Sequence, residues 1–566
     1  MPRILIPLAA LALITPSPGQ VVGGSFDTVY QFDGELAYFN FGTSVSDAGD
    51  VNADGFDDVI IGAYAAYNNG LSLSGSAYVY SGADGGLLHQ FDGAAKYDQL
   101  GYSVSGAGDV NNDGFDDLIV GAPGAAPGGV GQAGAAYVYS GADGSLLYQW
   151  NGPNLGDALG YSVSGAGDVN GDGHADAIVS APNADPNGLP MAGSAYVYSG
   201  SDGSLIYQWN GIDSGDRFGE SVSNAGDTNG DGHSDVIVGA RQADFGGITQ
   251  SGSATIFSGA NGSVLHSWGG DYSDWFGFSV SGAGDLNADG FDDVIVGAVD
   301  ADPGNRWSAG SAYAYSGANG SLLYQWDGLN EDDQFGISVS GAGDMNGDGH
   351  DDVIIGAAYS SPAGLQFAGS AFVYSGLNGA LLHQWEGAAD YDSLGLSVSS
   401  VGDTNQDGLD EVIVSAYMAD PGGLIEAGSS YIYGFNPYLL TSSETISANQ
   451  GGALEFHLNF PEVAALKEYK ILISQTGTGP THYGVDIPLT QDNLVVDTYM
   501  GNYPVNSHTD LHGILNSDGN AFASLTVPAG IPSSIIGNTY FIAAIANLPG
   551  NLPEHSSIAR TLTIVP

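Results

Sequence analysis

The sequence predicts an all-β protein in which a seven-bladed β-propeller precedes a C-terminal β-sandwich. The first supporting observation is an acidic loop of nine residues that occurs seven times, with successive copies starting 58 or 59 residues apart. The second is that four strand-like segments accompany each loop, which is typical of a propeller blade. Residues 441–566 contain strand-like runs without any such loop, which favours a β-sandwich there.

The second repeat shows the four predicted strands clearly. Residues 100–105 and 117–123 are expected to form its first and second strands, on either side of the acidic loop. The second strand is a continuous apolar run, which indicates burial on both faces. Residues 135–139 and 146–150, separated by a Gly-containing turn, are the expected third and fourth strands. Because this unit recurs over residues 26–435, we assign that range to the propeller.

The count of strands indicates how the ring closes. First, second and third strands occur seven times, but no fourth strand follows residues 429–433. Residues 29–32 instead match the fourth-strand pattern of residues 148–150. We therefore expect the N-terminal strand to complete the seventh blade, which leaves no open sheet edge in the ring.

The acidic loop has the spacing of an oxygen-ligand site for a hard cation. Each copy has an acid at position 1, Asn at 3, Asp at 5, Gly at 6 and an acid at 9, while position 7 offers its backbone carbonyl. The loop matches the first nine positions of an EF-hand but lacks its Glu at position 12. We predict up to seven structural Ca²⁺ ions. The candidate metal ligands are Asp50, Asn52, Asp54, Phe56, Asp58, Asp109, Asn111, Asp113, Phe115, Asp117, Asp168, Asn170, Asp172, His174, Asp176, Asp227, Asn229, Asp231, His233, Asp235, Asp285, Asn287, Asp289, Phe291, Asp293, Asp344, Asn346, Asp348, His350, Asp352, Asp403, Asn405, Asp407, Leu409 and Glu411.

Charge and composition narrow the possible partners. The chain has 8 Lys and Arg against 64 Asp and Glu, a formal net charge of −56, which repels nucleic-acid phosphates and anionic membrane surfaces. It has no Cys, which excludes disulfides and thiolate metal sites. Residues 1–20, with Arg3 before a short apolar run, are typical of a signal peptide, and no later stretch resembles a membrane span. We therefore expect a secreted or cell-surface protein.

Short motifs beside each loop resemble the FG-GAP repeats of integrin α-subunits and of their bacterial relatives. Phe-Gly pairs stand at positions 41, 218, 276 and 335, and Leu-Gly pairs at 100, 159 and 394. Gly-Ala-Pro is intact at residues 121–123. The resemblance implies a seven-bladed propeller with Ca²⁺ in the loops between first and second strands and ligands met on the opposite face. It implies the module alone, since the sequence shows no inserted adhesion domain.

The acidic loops define one face of the predicted disc, which we call the loop face. The loops between second and third strands (two–three loops) and the connections from each fourth strand to the next blade (four–one connections) form the opposite, upper face. Arg217, Arg241 and Arg306 all belong to the upper face and are candidate ligand-binding residues, because guanidinium groups pair with carboxylates. The alternative is that they neutralise neighbouring acids such as Asp216 and Asp244.

Aromatic residues are also expected on the upper face, where their rings either stack on sugars or wedge between blades. They are Tyr38, Tyr97, Tyr272, Trp275 and Tyr391. The Trp residues of the fourth strands are expected in the core between blades.

Catalytic signals are weak. Ser103 and Ser105 recur in every blade and belong to the scaffold, and the sequence has no Gly-x-Ser-x-Gly or His-Glu-x-x-His motif. The His residues at position 7 of three loops are expected at the surface. We therefore predict a secreted calcium-binding propeller that acts as a non-enzymatic adhesion or ligand-binding module for an extracellular protein or glycan. The alternative is an extracellular polysaccharide lyase or hydrolase, with Glu220 or Glu331 as candidate acid/base groups.

Overall fold

A computed structural model confirms the all-β, seven-bladed propeller. It describes residues 24–437 without a break and, beyond them, only the strands 439–441, 445–447, 452–459, 468–474, 480–482, 486–488, 512–514, 520–527, 539–547, 553–556 and 560–565. Phe26–Phe435 form one compact unit. The predicted signal peptide, residues 1–20, lies outside the described residues. No helix in the described ranges is long and apolar enough to cross a bilayer.

Each blade is a sheet of four short strands. The first strand, β1, is Gly24–Asp33; blade 1 follows with β2 Val45–Gly49, β3 Asp58–Ala63, β4 Ser76–Tyr80 and β5 Leu87–Asp92, and blade 2 with β6 Val104–Gly108, β7 Asp117–Ala122, β8 Ala135–Tyr139 and β9 Leu146–Asn151. Blade 3 contains β10 Val163–Gly167, β11 Asp176–Ala181, β12 Ser194–Tyr198 and β13 Leu205–Asn210, and blade 4 contains β14 Phe218–Gly226, β15 Asp235–Ala240, β16 Ser253–Phe257 and β17 Val264–Gly269. Blade 5 contains β18 Phe276–Gly284, β19 Asp293–Ala298, β20 Ser311–Tyr315 and β21 Leu322–Asp327, and blade 6 contains β22 Ser338–Gly343, β23 Asp352–Ala357, β24 Ser370–Tyr374 and β25 Leu381–Glu386. Blade 7 contains β26 Leu394–Ser400, β27 Val412–Ala416 and β28 Ser429–Pro437.

The N-terminal strand completes blade 7, as the sequence predicts. The strand order there is β26-β27-β28-β1, so β1 takes the fourth position. Phe26 of β1 packs against Trp385 of blade 6 and Phe435 of β28, with ring centroids 5.7 and 5.0 Å apart. The first and last parts of the propeller chain are therefore held in one sheet.

The first strand of blade 2 is shorter than predicted. It begins at Val104, and Leu100 instead forms a parallel bridge with Gly75 of blade 1. Gly101 has a φ of +80°, and a Cβ there would lie 2.1 Å from the carbonyl oxygen of Ser76. Only glycine fits this position, so the Leu-Gly pair fixes the contact between consecutive blades.

The core lies between neighbouring blades. All six residues of β7 are buried, as its continuous apolar run predicts. One aromatic ring of each fourth strand contacts an aromatic ring on the third strand of the next blade, with centroids 4.0 to 5.1 Å apart, which confirms the predicted role of the Trp residues. The seven pairs are Phe32–Tyr80, Phe91–Tyr139, Trp150–Tyr198, Trp209–Phe257, Trp268–Tyr315, Trp326–Tyr374 and Trp385–Tyr433.

A ring of serine side chains links the innermost strands. Ser103 Oγ of blade 2 accepts a hydrogen bond from the backbone N–H of Val163 in blade 3 at 3.0 Å. The same bond joins every consecutive pair of blades at 3.0 to 3.1 Å, including blade 7 to blade 1 through Ser397 and Val45. These serines are scaffold residues, as their recurrence indicates.

Short 3-10 turns shape the two–three loops of blades 2 to 7. They are Pro127–Gly129, Pro186–Gly188, Phe245–Gly247, Pro303–Asn305, Pro362–Gly364 and Pro421–Gly423. Blade 4 differs from the others because its turn starts with Phe245 in place of Pro.

The C-terminal region contains further strands. They are β29 Leu439–Thr441, β30 Thr445–Ser447, β31 Gly452–Asn459, β32 Glu468–Ser474, β33 Pro480–His482, β34 Asp486–Pro488, β35 His512–Ile514, β36 Asn520–Val527, β37 Thr539–Asn547, β38 Pro553–Ser556 and β39 Arg560–Val565. They pair as β29-β31-β36, as β30-β39-β37-β32-β35 with β38 beside β37, and as β33-β34. The sandwich arrangement of residues 441–566 stays a prediction.

Candidate functional site

The seven acidic loops share one backbone conformation. The Gly at position 6 has a φ between +84° and +90° in every copy, which a Cβ would oppose. In blade 1, Asp50 Oδ1 accepts the N–H of Asp54 at 3.0 Å and Oδ2 accepts the N–H of Gly55 at 2.9 Å. The same two bonds recur in the other six loops at 2.8 to 3.1 Å. The position 1 carboxylate therefore fixes the turn.

The acid at position 9 has a structural role in addition to the predicted ligand role. It is fully buried in all seven loops. Asp58 Oδ2 accepts the N–H of Val51 at 3.1 Å, and Oδ1 accepts the N–H of Gly82, in the turn between third and fourth strands, at 3.0 Å. The equivalent glycine bond recurs in blades 2 to 6 at 2.9 to 3.1 Å. Position 9 thus ties the acidic loop to the neighbouring turn.

These buried carboxylates have perturbed acidities. Desolvation is the main cause, and the acids at positions 1 and 5 add to it in several loops. Burial raises the pKa of Asp117 and Asp176 to about 6, of Asp58 and Asp293 to about 7, and of Glu411 to about 8. Both ion pairs within the described part of the chain involve Glu220. The loops therefore concentrate buried carboxyl groups whose ionised form no Lys or Arg of the described chain pairs with.

The donor set of the loops fits a hard cation. Carboxylate, amide and backbone oxygens are the ligands that Ca²⁺ prefers. In blade 2, Asn111 Oδ1 at position 3 is buried without a hydrogen-bond partner, which is unfavourable unless a cation or a water contacts this oxygen. Across the described residues, no three acidic or His side chains form a group that could hold a metal ion as they stand. Ion binding would therefore bring the carboxylates of one loop closer together.

Positions 7 and 8 connect neighbouring loops, which the sequence reasoning missed. His174 Nδ1 lies 2.9 Å from the carbonyl oxygen of Val110 in the preceding blade. Asp116 Oδ2, at position 8, accepts the N–H of Asp50 in blade 1 at 3.0 Å. His233 and His350 make the same contact as His174, so these three residues, expected at the surface, are half-buried and bonded to the preceding blade. The recurrence of Asp at position 8 in five of seven loops was the available signal.

On the upper face, the structure brings Arg217 and Arg241 together around one carboxylate. Arg217 Nε lies 2.8 Å from Glu220 Oε2, and Arg241 Nη1 lies 3.5 Å from Glu220 Oε1. The hydroxyl of Tyr161, in blade 3, donates to the same Oε1 at 3.1 Å. The Arg241 guanidinium also lies over the ring of Trp275, 5.0 Å from its centroid.

This arrangement changes the roles expected for several residues. The acid that pairs with the two arginines is Glu220, not Asp216 or Asp244. Because Glu220 is buried and paired, it is not a free acid/base group, whereas Glu331 is exposed. Arg306 lies in the two–three loop of blade 5, and neither ion pair of the described residues includes it.

The predicted upper-face aromatics divide into two groups. Four tyrosines are between 51% and 72% exposed, namely Tyr38, Tyr97, Tyr272 and Tyr391. Trp275 instead contacts Arg241. The upper face therefore offers exposed rings on several blades.

Comparison with known proteins agrees with this architecture. The FG-GAP repeat family matches residues 41–80, 100–139, 159–198, 218–257 and 335–374. Each match runs from a Phe-Gly or Leu-Gly pair through the acidic loop to the third strand. The chain is therefore a seven-bladed β-propeller in which five blades match the FG-GAP repeat family.

The chain is also homologous to integrin α-subunits over part of its length. It is 34% identical to Integrin alpha-5 of Xenopus laevis over 229 residues, which cover 37% of this chain and 21% of the relative. It is 32% identical to Integrin alpha-V of Gallus gallus over 218 residues, 36% of this chain and 20% of the relative. It is 31% identical to Integrin alpha-4 of Xenopus laevis over 260 residues, 43% of this chain and 24% of the relative. The chain thus matches less than a quarter of the length of these relatives.

Proposed function

We propose that the protein is a secreted, calcium-stabilised propeller that binds an extracellular protein or glycan through its upper face and has no enzymatic activity. The observation that carries the calcium role is the buried carboxylate at position 9 of all seven loops, which faces no protein cation in the described residues. A bound Ca²⁺ supplies the missing positive charge. Secretion is supported by the signal-like residues 1–20.

The proposed ions have a structural role. An ion that binds the folded loop better than the unfolded chain stabilises the fold by RT ln(1 + [Ca²⁺]/Kd). With 1 mM Ca²⁺ and a Kd of about 10⁻⁴ M, typical of extracellular sites, each loop gains about 1.4 kcal/mol. Seven independent loops would gain about 10 kcal/mol in total.

Chelation tests the calcium role. Removing divalent ions with EDTA at pH 7.5 should lower the melting temperature followed by circular dichroism, and CaCl₂ should restore it where NaCl of equal ionic strength does not. Asp54→Asn, which removes one charged ligand of blade 1, should lower the number of bound Ca²⁺ ions measured by isothermal titration calorimetry by one. An unchanged melt together with no bound calcium would refute the calcium role.

The upper face is the proposed ligand surface because it varies between blades and carries exposed aromatic rings. Two guanidinium groups and one carboxylate leave a net charge of +1 at Arg217, Arg241 and Glu220 on an otherwise acidic protein. The guanidinium groups of Arg217, Arg241 and Arg306 are proposed to bind carboxylates of a protein ligand. Arg306→Ala tests this contribution without breaking an ion pair of the described residues, and undiminished binding to protein ligands found in a screen would argue against it.

The absence of enzymatic activity is tested separately. Glu220 is already engaged by two arginines and Tyr161, which leaves the enzyme alternative without the partnered acid/base pair it requires. Incubation with a panel of acidic polysaccharides should give no new reducing ends and no unsaturated products. Turnover that survives repurification would overturn this part of the proposal.

A further inference from the structure

Blade 4 lacks three bulky side chains that the other six blades share. The third-strand position held by Tyr78, Tyr137, Tyr196, Tyr313, Phe372 and Tyr431 is Thr255 in blade 4. The fourth-strand position held by Gln31, Gln90, Gln149, Gln208, Gln325 and Gln384 is Ser267. Two residues later, where the other blades have Asp, Asn or Glu, blade 4 has Gly269.

A cavity opens beside Thr255 and Ser267, whereas the Phe245 side chain occupies the space beside Gly269. The blade 3/4 pocket, between the fourth strand of blade 3 and the outer strands of blade 4, has a volume of about 540 Å³. The equivalent cavity between blades 5 and 6, where Phe372, Gln384 and Glu386 are present, has about 240 Å³. The volume of the blade 3/4 pocket lies within the roughly 300–1,000 Å³ typical of small-molecule sites, and that of its counterpart does not.

Aromatic rings form one wall of the blade 3/4 pocket. Trp209 stacks on Phe257 with centroids 4.5 Å apart, and Phe218 meets Phe257 edge-on at 6.1 Å. Trp209 Nε1 donates to the carbonyl oxygen of Gly262 at 3.0 Å, which fixes the indole ring. Phe245 replaces the Pro of other blades and is 39% exposed at the rim. This wall is a rigid apolar platform.

Oxygen atoms line the pocket beside these rings, since Thr255 and Phe257 lie on the same face of β16. Thr255 Oγ1 and Ser267 Oγ lie 2.9 Å apart and share one hydrogen bond, and three carboxylates, Asp213, Asp216 and Asp244, also line the pocket. One oxygen of Asp216 accepts two backbone N–H groups and one of Asp244 accepts one, so both carboxylates keep acceptor capacity. None of the described residues that line the cavity is Lys or Arg. The side chains therefore offer mainly acceptors and repel anions.

We propose that the blade 3/4 pocket binds a neutral sugar ring of a glycan. A pyranose has an apolar C–H face that fits the aromatic platform and a rim of hydroxyl donors that fits the carboxylate and hydroxyl acceptors. The carboxylates exclude uronic and sialic acids by like-charge repulsion. This inference rests on the proposed binding function, for which it names a ligand class and one site.

Binding is tested on the full chain in 5 mM CaCl₂ with methyl pyranosides of glucose, galactose, mannose and N-acetylglucosamine. Saturation-transfer NMR detects which probes bind, and titration of the tryptophan fluorescence gives the affinity. Thr255→Tyr restores the side chain that five other blades carry and Ser267→Gln the one that all six carry, so each should fill the pocket and weaken binding at least tenfold. The matched control Thr255→Ser keeps the pocket open and should bind as the unmodified protein does.

Three outcomes would overturn the proposal. The first is no saturable binding of any neutral pyranoside, and the second is binding by the two filling variants that is as tight as binding by the unmodified protein. The third is displacement of the pyranoside by benzylamine at a lower concentration than by a second sugar. The last outcome would identify a cation site instead. Because neither filling substitution touches an acidic loop, an unchanged EDTA melt together with no bound calcium would refute the calcium role alone, and the sugar test could still be interpreted.

Discussion

The loop face and the upper face are built from the same seven repeats, but they differ in how closely the copies agree. On the loop face, the hydrogen bonds of positions 1 and 5 occur in every blade. On the upper face, the residue after the Phe-Gly or Leu-Gly pair is of six different types in the seven blades, and in blade 4 it is the paired Glu220. Repetition therefore serves stability, whereas variation creates sites that occur once.

The largest expected effect concerns the pH dependence of the calcium-free loop face. The pKa values of Asp58, Asp117 and Asp293 are raised from 3.8 to between about 6 and about 7. Between pH 3.8 and about pH 7, the folded state therefore holds more protons than the unfolded state. Its free energy of unfolding therefore falls as pH rises through this window, by up to about 1.4 kcal/mol per pKa unit for each group. In metal-free buffer, the melting temperature should be higher at pH 5 than at pH 8.

Calcium provides the control for this prediction. Bound ions compensate the ionised carboxylates, so the decrease between pH 5 and pH 8 should be much smaller in 5 mM CaCl₂. Metal-free buffers prepared by ion exchange are needed, because EDTA chelates poorly at pH 5. A melting temperature that rises with pH without calcium would show that these carboxylates are not destabilised by burial.

A smaller effect is expected from breaking the charge cluster of the upper face. Glu220→Ala leaves the guanidiniums of Arg217 and Arg241, whose side chains are 17% and 18% exposed, without a counter-charge. We expect a loss of about 2 kcal/mol in the free energy of unfolding, measured by urea denaturation in saturating calcium. The loss should not depend on calcium, because the cluster shares no residue with the loops.

Glu331→Ala is the matched control on an exposed four–one connection. It should change the stability by less than about 0.5 kcal/mol. Equal losses for the two variants would mean that the Arg217–Glu220–Arg241 cluster adds nothing to the stability of the upper face.

The repeated features could be predicted from the sequence because each is sampled seven times. The acidic loop, the strand order and the closing strand at residues 29–32 all follow from comparing copies. The features that occur once were harder to predict, because no copy reveals their partners. The pairing of Glu220 with Arg241 joins β14 to the loop after β15, and the blade 3/4 pocket becomes visible only when Thr255 and Ser267 are placed on neighbouring strands.

The serine ring gives the smallest expected effect and a test of whether recurrence alone indicates importance. Ser103 and Ser105 both recur in the sequence, but Ser103 Oγ accepts the N–H of Val163 from the next blade, whereas Ser105 Oγ donates to the carbonyl oxygen of the adjacent Gly106 at 2.9 Å. Ser103→Ala should therefore cost about 1 kcal/mol, since it leaves a half-buried N–H unpaired. Ser105→Ala should cost less than about 0.5 kcal/mol, because its bond is local. Both losses in the free energy of unfolding are to be measured by urea denaturation in calcium. A larger loss for Ser105→Ala than for Ser103→Ala would show that contacts between blades do not limit the stability of the ring.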